Sequence, residues 1–210
     1  MMAPGMAPGL WGSTVNQVRI QEIADVRTGY AYSRKQAGEA GGGDLLGLQI
    51  NDVRFASVVD PTRLFPVYWE QVRKPPVLEP GEVVLAAKGN HNRAAIFLDH
   101  DQQVIPSTHF LILTVKDERH ISPNFLCWVL NYRSTQNRLA DIQTGTNIPS
   151  ISKKALAMLE VPLPPIDIQE RILRLHSLWE EERHLAEAMI SNRETMLYGV
   201  FQKMLKGEDK

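Results

Sequence analysis

Cysteine is nearly missing from this sequence. Cys127 stands alone among 210 residues, which excludes a disulfide framework and a four-cysteine zinc site. The scarcity fits a reducing compartment, and a cytoplasmic protein is expected. No apolar run is long enough to span a bilayer, so no membrane association is expected. The N-terminus is a Pro/Gly/Ala stretch without the charged start and continuous apolar core of a signal peptide. Residues 1–13 read as a flexible leader outside the fold. An excess of either charge is also missing, the formal net charge being −1. Small DNA-binding modules are often strongly basic, so this balance counts against a chain that grips nucleic acid by bulk charge. It leaves room for a chain that offers DNA one local face while other subunits supply most phosphate contacts.

Catalytic signatures are missing too. There is no G-x-G-x-x-G after a strand, no G-x-x-x-x-G-K, no G-x-S-x-G and no H-E-x-x-H. A metal nuclease needs clustered carboxylates, usually with a lysine, to hold a cation and polarise water. The single Glu-x-Lys, at 208–210, lies at the C-terminal end. Asp60, Glu82 and Lys88 are the set left for a nuclease reading. His91, His100, His109 and His120 are too loosely spaced for a metal site and read as structural or surface residues. Cys127 falls on an apolar helix face and reads as core. No cofactor, no metal and no enzymatic activity are expected.

What the sequence does contain is globular: 43% hydrophobic and 22% charged residues. Its length suits one domain with an appendage. Short strands are expected around 18–20, 25–30 and 45–50. A hairpin should follow the Pro80-Gly81 turn, with strands through 82–87 and 94–98 and an unusually polar tip from Lys88 to Arg93. More β-structure is expected at 104–105 and 109–115. Ser122-Pro123 is an N-cap followed by proline at the first helical position, and the helix should run to Asn131. Ser134 is expected to cap a second short helix. The segment from Gln36 to Asp44 is glycine-rich and reads as a loop.

Beyond Pro164-Pro165 nothing breaks a helix. Asp167 and Glu170 form a D-x-x-E capping pattern. Apolar residues recur at threes and fours, with Ile168, Ile172, Leu175, Trp179, Leu185, Met189, Met196 and Val200 in the stripe. About 38 residues of helix is on the order of 57 Å long, against a radius of gyration of about 15 Å for a domain of this size. Such a helix should project and needs a partner for its stripe. The fold class is therefore α+β: short strands and small helices, then one long C-terminal helix.

The loops carry the candidate chemistry. Lys88, Asn90, His91, Asn92 and Arg93 place amide and imidazole groups between two cations, as a DNA-reading loop would. A solvated surface loop has the same composition. Tyr30, Tyr32, Arg34 and Lys35 combine aromatic and basic groups. Thr144, Thr146 and Asn147 form another small polar loop, whose composition also suits ordinary turns.

At this point a resemblance becomes visible. G-T-N-I-P-S-I-S-K-K at 145–154, L-E-V-P-L-P-P at 159–165 and Gln169 at the start of the long helix resemble the end of a target recognition domain from type I restriction–modification specificity (S) subunits. The segments at 23–30, 81–89 with 94–96, and 109–113 followed by the Ser122-Pro123 helix look like the same family in the same order. The resemblance implies a non-catalytic chain that reads one half of a split double-stranded DNA sequence and carries methyltransferase (modification) subunits, with a restriction/translocase subunit where the system has one. Such S subunits have two recognition domains and two helical regions, whereas this sequence has one of each. It looks like a half-subunit: leader 1–13, target recognition domain 14–165, and helix 166–207 pairing with its copy in a homodimer. The resemblance implies Lys88, Asn90, His91, Asn92, Arg93, Thr144, Thr146, Asn147, Lys153 and Lys154 as DNA-facing residues, and Tyr30, Tyr32, Arg34 and Lys35 are added to them from their aromatic and basic composition. Two rivals stand beside this reading, a non-catalytic adaptor or inhibitor of another defence system and a stand-alone metal-dependent nuclease.

Overall fold

The computed structural model describes residues 16–34, 45–69 and 74–207. The expected leader, Lys35 and the glycine-rich loop therefore lie outside the described residues. The chain divides into two compact units, the first ending at Gln169 and the second starting at Glu170.

The first unit opens with β1 (Asn16–Arg19), a single helical turn α1 (Ile20–Ile23), β2 (Ala24–Thr28) and a short β3 (Ser33–Arg34). Next come β4 (Leu45–Leu48), 3-10 turns at Ile50–Val53 and Pro61–Arg63, and β5 (Phe65–Tyr68). The strands β6 (Val83–Ala86), β7 (Ala94–Ile96), β8 (Gln103–Pro106) and β9 (Phe110–Val115) follow. Helices α2 (Pro123–Asn131), α3 (Arg133–Asp141) and α4 (Lys153–Met158) and strand β10 (Glu160–Leu163) lead to α5 (Ile166–Lys206).

One antiparallel sheet has the order β2-β9-β6-β7. Its β6 is buried at every position, as an apolar run covered on both faces should be. A second, mixed sheet runs β3-β5-β4-β8, with β4 and β8 parallel from Leu45↔Gln103 to Leu48↔Pro106. Leu48, Val84, Phe97, Phe110 and Ile112 form the main core, drawn from both sheets. A smaller cluster joins Leu45, Val67 and Ile105 to Tyr30, Tyr32 and Trp69. The two ends of the unit meet in a ladder of their own, since β1 pairs antiparallel with β10 from Asn16↔Leu163 to Arg19↔Glu160.

Glu82 is buried within the first sheet. Its carboxylate accepts from the Arg27 guanidinium, from Thr114 Oγ1 at 2.7 Å and from the Glu79 N–H at 3.0 Å. A carboxylate so occupied neutralises the half-buried Arg27 rather than reaching for a metal ion, so the Asp60, Glu82, Lys88 set loses its central member.

The helix starts separate local signals from tertiary ones. Ser122 caps α2, its Oγ accepting from the Phe125 N–H at 3.1 Å, with Pro123 in the first turn. Ser134 does not cap α3. Tyr132 is the one residue between α2 and α3 and serves as the end of the first and the start of the second, which puts Ser134 inside the helix. Asp167 is likewise inside the first turn of α5, because the Pro165 carbonyl already accepts from the N–H groups of Ile168 and Gln169. Its charge still suits a helix N-terminus. The first turn is sealed by Gln169, which is fully buried. Its Oε1 accepts from the Ser122 N–H at 3.1 Å, and its Nε2 donates to the carbonyls of His120 at 2.8 Å and Pro164 at 2.9 Å.

The second unit is the remainder of α5, a helix of 41 residues in all and hence about 60 Å long. Leu175, Trp179, Leu185, Met189, Met196 and Val200 are 50–71% exposed. Ile172, and Ile168 in the first unit, are half-buried.

Candidate nucleic-acid interface

β6 and β7 form the expected hairpin, with Val83 opposite Ile96 and Leu85 opposite Ala94. Its tip is held from two sides. Lys88 bridges Ser150, the Gly89 N–H donates to the Pro149 carbonyl at 2.8 Å, and the Ile151 N–H donates to the Ala87 carbonyl at 2.8 Å. On the other side the Ala87 N–H donates to the His109 carbonyl at 2.8 Å. The structure thus joins two polar loops some 55 residues apart in sequence and adds a third at Ser107–His109.

Within the 144–150 loop, Thr144 and Ser150 exchange backbone hydrogen bonds of 2.9 and 3.0 Å. Gly145 makes that tight reversal possible, since its φ of +104° suits glycine and a Cβ there would sit 2.9 Å from the Ile148 carbonyl oxygen. Thr144, Thr146 and Asn147 are exposed. Lys153 and Lys154 are exposed as the first two residues of α4, behind a Ser152 cap whose Oγ accepts from the Ala155 N–H at 3.1 Å.

The tip residues divide sharply. Lys88, Asn90 and His91 are exposed, whereas Asn92 is only 5% exposed. Its Nδ2 donates to the Ala86 carbonyl at 3.0 Å, and its Oδ1 accepts from Gln143 Nε2 at 2.8 Å. That same Gln143 nitrogen donates to the Gly89 carbonyl at 3.1 Å, and Gln136 Nε2 holds the Asn92 carbonyl at 2.8 Å. Asn92, expected among the DNA-facing residues, is instead the peg on which the loop hangs. Arg93 is half-buried and turns its Nη2 onto Ser57 Oγ at 3.1 Å, tying the tip to the segment after β4.

Lys88, Gly89, Asn90, His91 and Arg93 line a cleft of about 210 Å³ with Ile50, Asn51 and Arg54. A neighbouring cleft of about 400 Å³ shares Ile50 and Asn51 and adds Tyr30, Tyr32, Gln49, Thr108 and His109. The two clefts therefore meet at the 3-10 turn of Ile50–Val53 and make one continuous face of mixed polar and apolar character. Tyr30 is half-buried, edge-on to Trp69 at 6.1 Å. Its approach to Ser107 depends on Gly29, where a Cβ would fall 1.9 Å from the Ser107 carbonyl oxygen. Tyr32 is engaged inward: its hydroxyl donates to the Leu48 carbonyl at 2.8 Å. Burial pushes that hydroxyl's pKa up to about 12, with the Asp52 carboxylate adding to the shift. It is a fixed, neutral donor rather than a group free for a ligand. Arg34 lies in β3 opposite Val67.

Gln49, Asn51, Arg54, Thr108 and His109 are not among the DNA-facing residues expected from sequence. The signal for them is topological. Because β4 and β8 are parallel and in register at Leu48↔Pro106, the residues after both strands emerge at the same sheet edge. Among the described residues, no group of three His, Cys, Asp or Glu side chains is placed to hold a metal ion. No described helix is long and apolar enough to cross a membrane.

The type I restriction modification DNA specificity domain model matches residues 12–178. The chain belongs to this family. Solved S subunits share its fold. One from M. genitalium matches with 16% identity and a TM-score of 0.56, over 92% of this chain and 46% of that one. The HsdS subunit from Thermoanaerobacter tengcongensis matches with 19% identity and a TM-score of 0.59, over 86% of this chain and 41% of that one. A chain from a structure addressing complex assembly and conformational transition of the type I R-M system matches with 18% identity and a TM-score of 0.66, over 95% of this chain and 47% of that one. This specificity-domain chain thus spans about half the length of the solved chains it matches. No curated protein matches it in sequence.

Proposed function

We propose that this chain reads one half of a split double-stranded DNA target in the cytoplasm and directs methyltransferase subunits to it, with a restriction/translocase subunit where the system has one. The observation that carries this reading is the continuous face built from three sequence-distant loops around the β6–β7 tip. It presents Lys88, Asn90, His91, Asn51, Arg54 and His109 at one edge. Amide, imidazole and guanidinium groups held on a hydrogen-bonded frame suit base-edge and phosphate recognition. Thr144, Thr146 and Asn147 extend the face, and Lys153 and Lys154 contribute phosphate contacts. The chain supplies position and sequence preference, and the methyl transfer belongs to its partners.

The second half of the target calls for a second reading head. A helix about 60 Å long with Leu175, Trp179, Leu185, Met189, Met196 and Val200 exposed supports pairing with another copy, since apolar surface of that extent gains by burial. Two-fold pairing makes the target a split palindrome.

The test is selection from a duplex library with a randomised core, using the full chain with and without a methyltransferase subunit. Enrichment of a short sequence is expected. No enrichment in either case would favour the adaptor or inhibitor reading.

A further inference from the structure

Phe55 is 87% exposed. A single exposed apolar side chain is ordinary on a protein surface, so the exposure alone says little. Two further observations set this one apart.

The first is that the segment is pinned. Val53 and Val59, on either side, are 0% and 3% exposed. The Ser57 carbonyl accepts from the Ile96 N–H at 2.9 Å, and the Val59 N–H donates to the Ile96 carbonyl at 2.9 Å. Cys127 Sγ reaches the Ser57 carbonyl at 3.6 Å, and Arg93 holds the Ser57 hydroxyl. Phe55 therefore sits at the crest of a short turn fastened at both feet.

The second is its company. The Arg54 guanidinium carbon lies 5.2 Å from the Phe55 ring centroid. Arg54 also lines the cleft that holds Lys88, Asn90, His91 and Arg93. The adjacent acid, Asp52, is turned onto the Gln49 N–H at 2.7 Å. An apolar ring with a guanidinium beside it, next to a cleft that carries Lys88, is a poor fit for an apolar protein surface, which would have to desolvate those charges. It is a good fit for duplex DNA, where phosphates flank a stack of apolar base faces.

We propose that Phe55 is an apolar wedge that enters a base step of duplex DNA, with Arg54 on the phosphate beside it. This rests on the reading of the loop face as a DNA interface. A wedge favours steps that unstack easily, so Phe55 would set sequence preference at a position that no hydrogen-bonding side chain reads.

The experiment uses the full chain in its methyltransferase complex and the duplex that the wild-type complex enriches from the randomised library. F55A is expected to keep the wild-type thermal midpoint and to weaken binding about tenfold, in the range of one lost aromatic–base contact, without changing the salt dependence. F55L should recover most of that loss. R54A should lower the slope of log affinity against log salt by about 0.9, the signature of one phosphate contact. Repeating the selection with F55A should relax preference at one pyrimidine–purine step and leave the other positions intact. Wild-type affinity and an unchanged selected sequence for F55A would overturn the proposal while leaving the DNA reading in place. F55A that binds DNA normally but loses the methyltransferase subunit would overturn it in favour of a protein contact. Failure of the wild-type complex to enrich any sequence would remove the DNA reading and the wedge together.

Discussion

Asn90 and Asn92 stand two residues apart on one loop, yet their replacement by alanine is expected to give opposite phenotypes. Asn92→Ala removes the 3.0 Å bond to the Ala86 carbonyl and the 2.8 Å bond from Gln143. Each such bond is worth about 1 kcal/mol net, and leaving a buried carbonyl without its donor adds to the cost. Gln143 keeps the Gly89 carbonyl, which limits the damage. The sum is about 2–3 kcal/mol, or a fall of about 5–10 °C in thermal midpoint for a unit of this size. Asn90 is exposed, so Asn90→Ala should leave stability within about 0.5 kcal/mol. Losing an amide–base contact should lower its affinity for the selected duplex about tenfold. Circular dichroism melting and fluorescence anisotropy on the same preparations give both numbers. An unchanged midpoint for Asn92→Ala, or equal destabilisation by the two variants, would refute the assignment of peg and reader.

Other outcomes follow from the same geometry. Gln169→Ala should cost about 2–4 kcal/mol, because it removes the buried side chain that links the first turn of α5 to His120, Ser122 and Pro164; urea unfolding of the variant measures this. Stability should fall as pH rises above about 9. Burial raises the Cys127 thiol from 9.0 to about 12, and burial with help from Asp52 raises the Tyr32 hydroxyl from 10.0 to about 12. Over that window the unfolded chain releases protons that the folded chain retains. Unfolding free energy measured from pH 8 to 11 should therefore slope downward, and less steeply in Tyr32→Phe. The full chain should sediment as a dimer at micromolar concentration and Met189→Glu as a monomer, and a monomeric wild type would count against pairing through α5.

Local chemistry was legible in the sequence where neighbours along the chain decide the outcome. The Ser122 cap acts within one turn of α2, and the β6–β7 hairpin pairs strands that follow each other in the chain. Asn92 was not legible, because asparagine suits a solvated tip and a buried clamp equally well. What decides between them is Gln136 and Gln143, 44 and 51 residues away. Tyr32 was misread for the same reason, its hydroxyl being claimed by Leu48 across the second sheet. Asn51, Arg54 and His109 join the face only through the parallel β4–β8 pairing, which no single segment announces. The failed caps at Ser134 and Asp167 show the limit of spacing rules where one residue serves two helices or a proline carbonyl starts the turn first.

The most direct test of the central claim is the symmetry of the DNA that the chain selects. Sequencing the pool enriched from a randomised duplex library by the full chain with a methyltransferase subunit should yield one short motif and its inverted copy at a fixed spacing. Disrupting either half should weaken binding by a similar factor. A pool without an enriched motif, or with a single unsplit motif, would contradict a pair of identical reading heads held apart by α5.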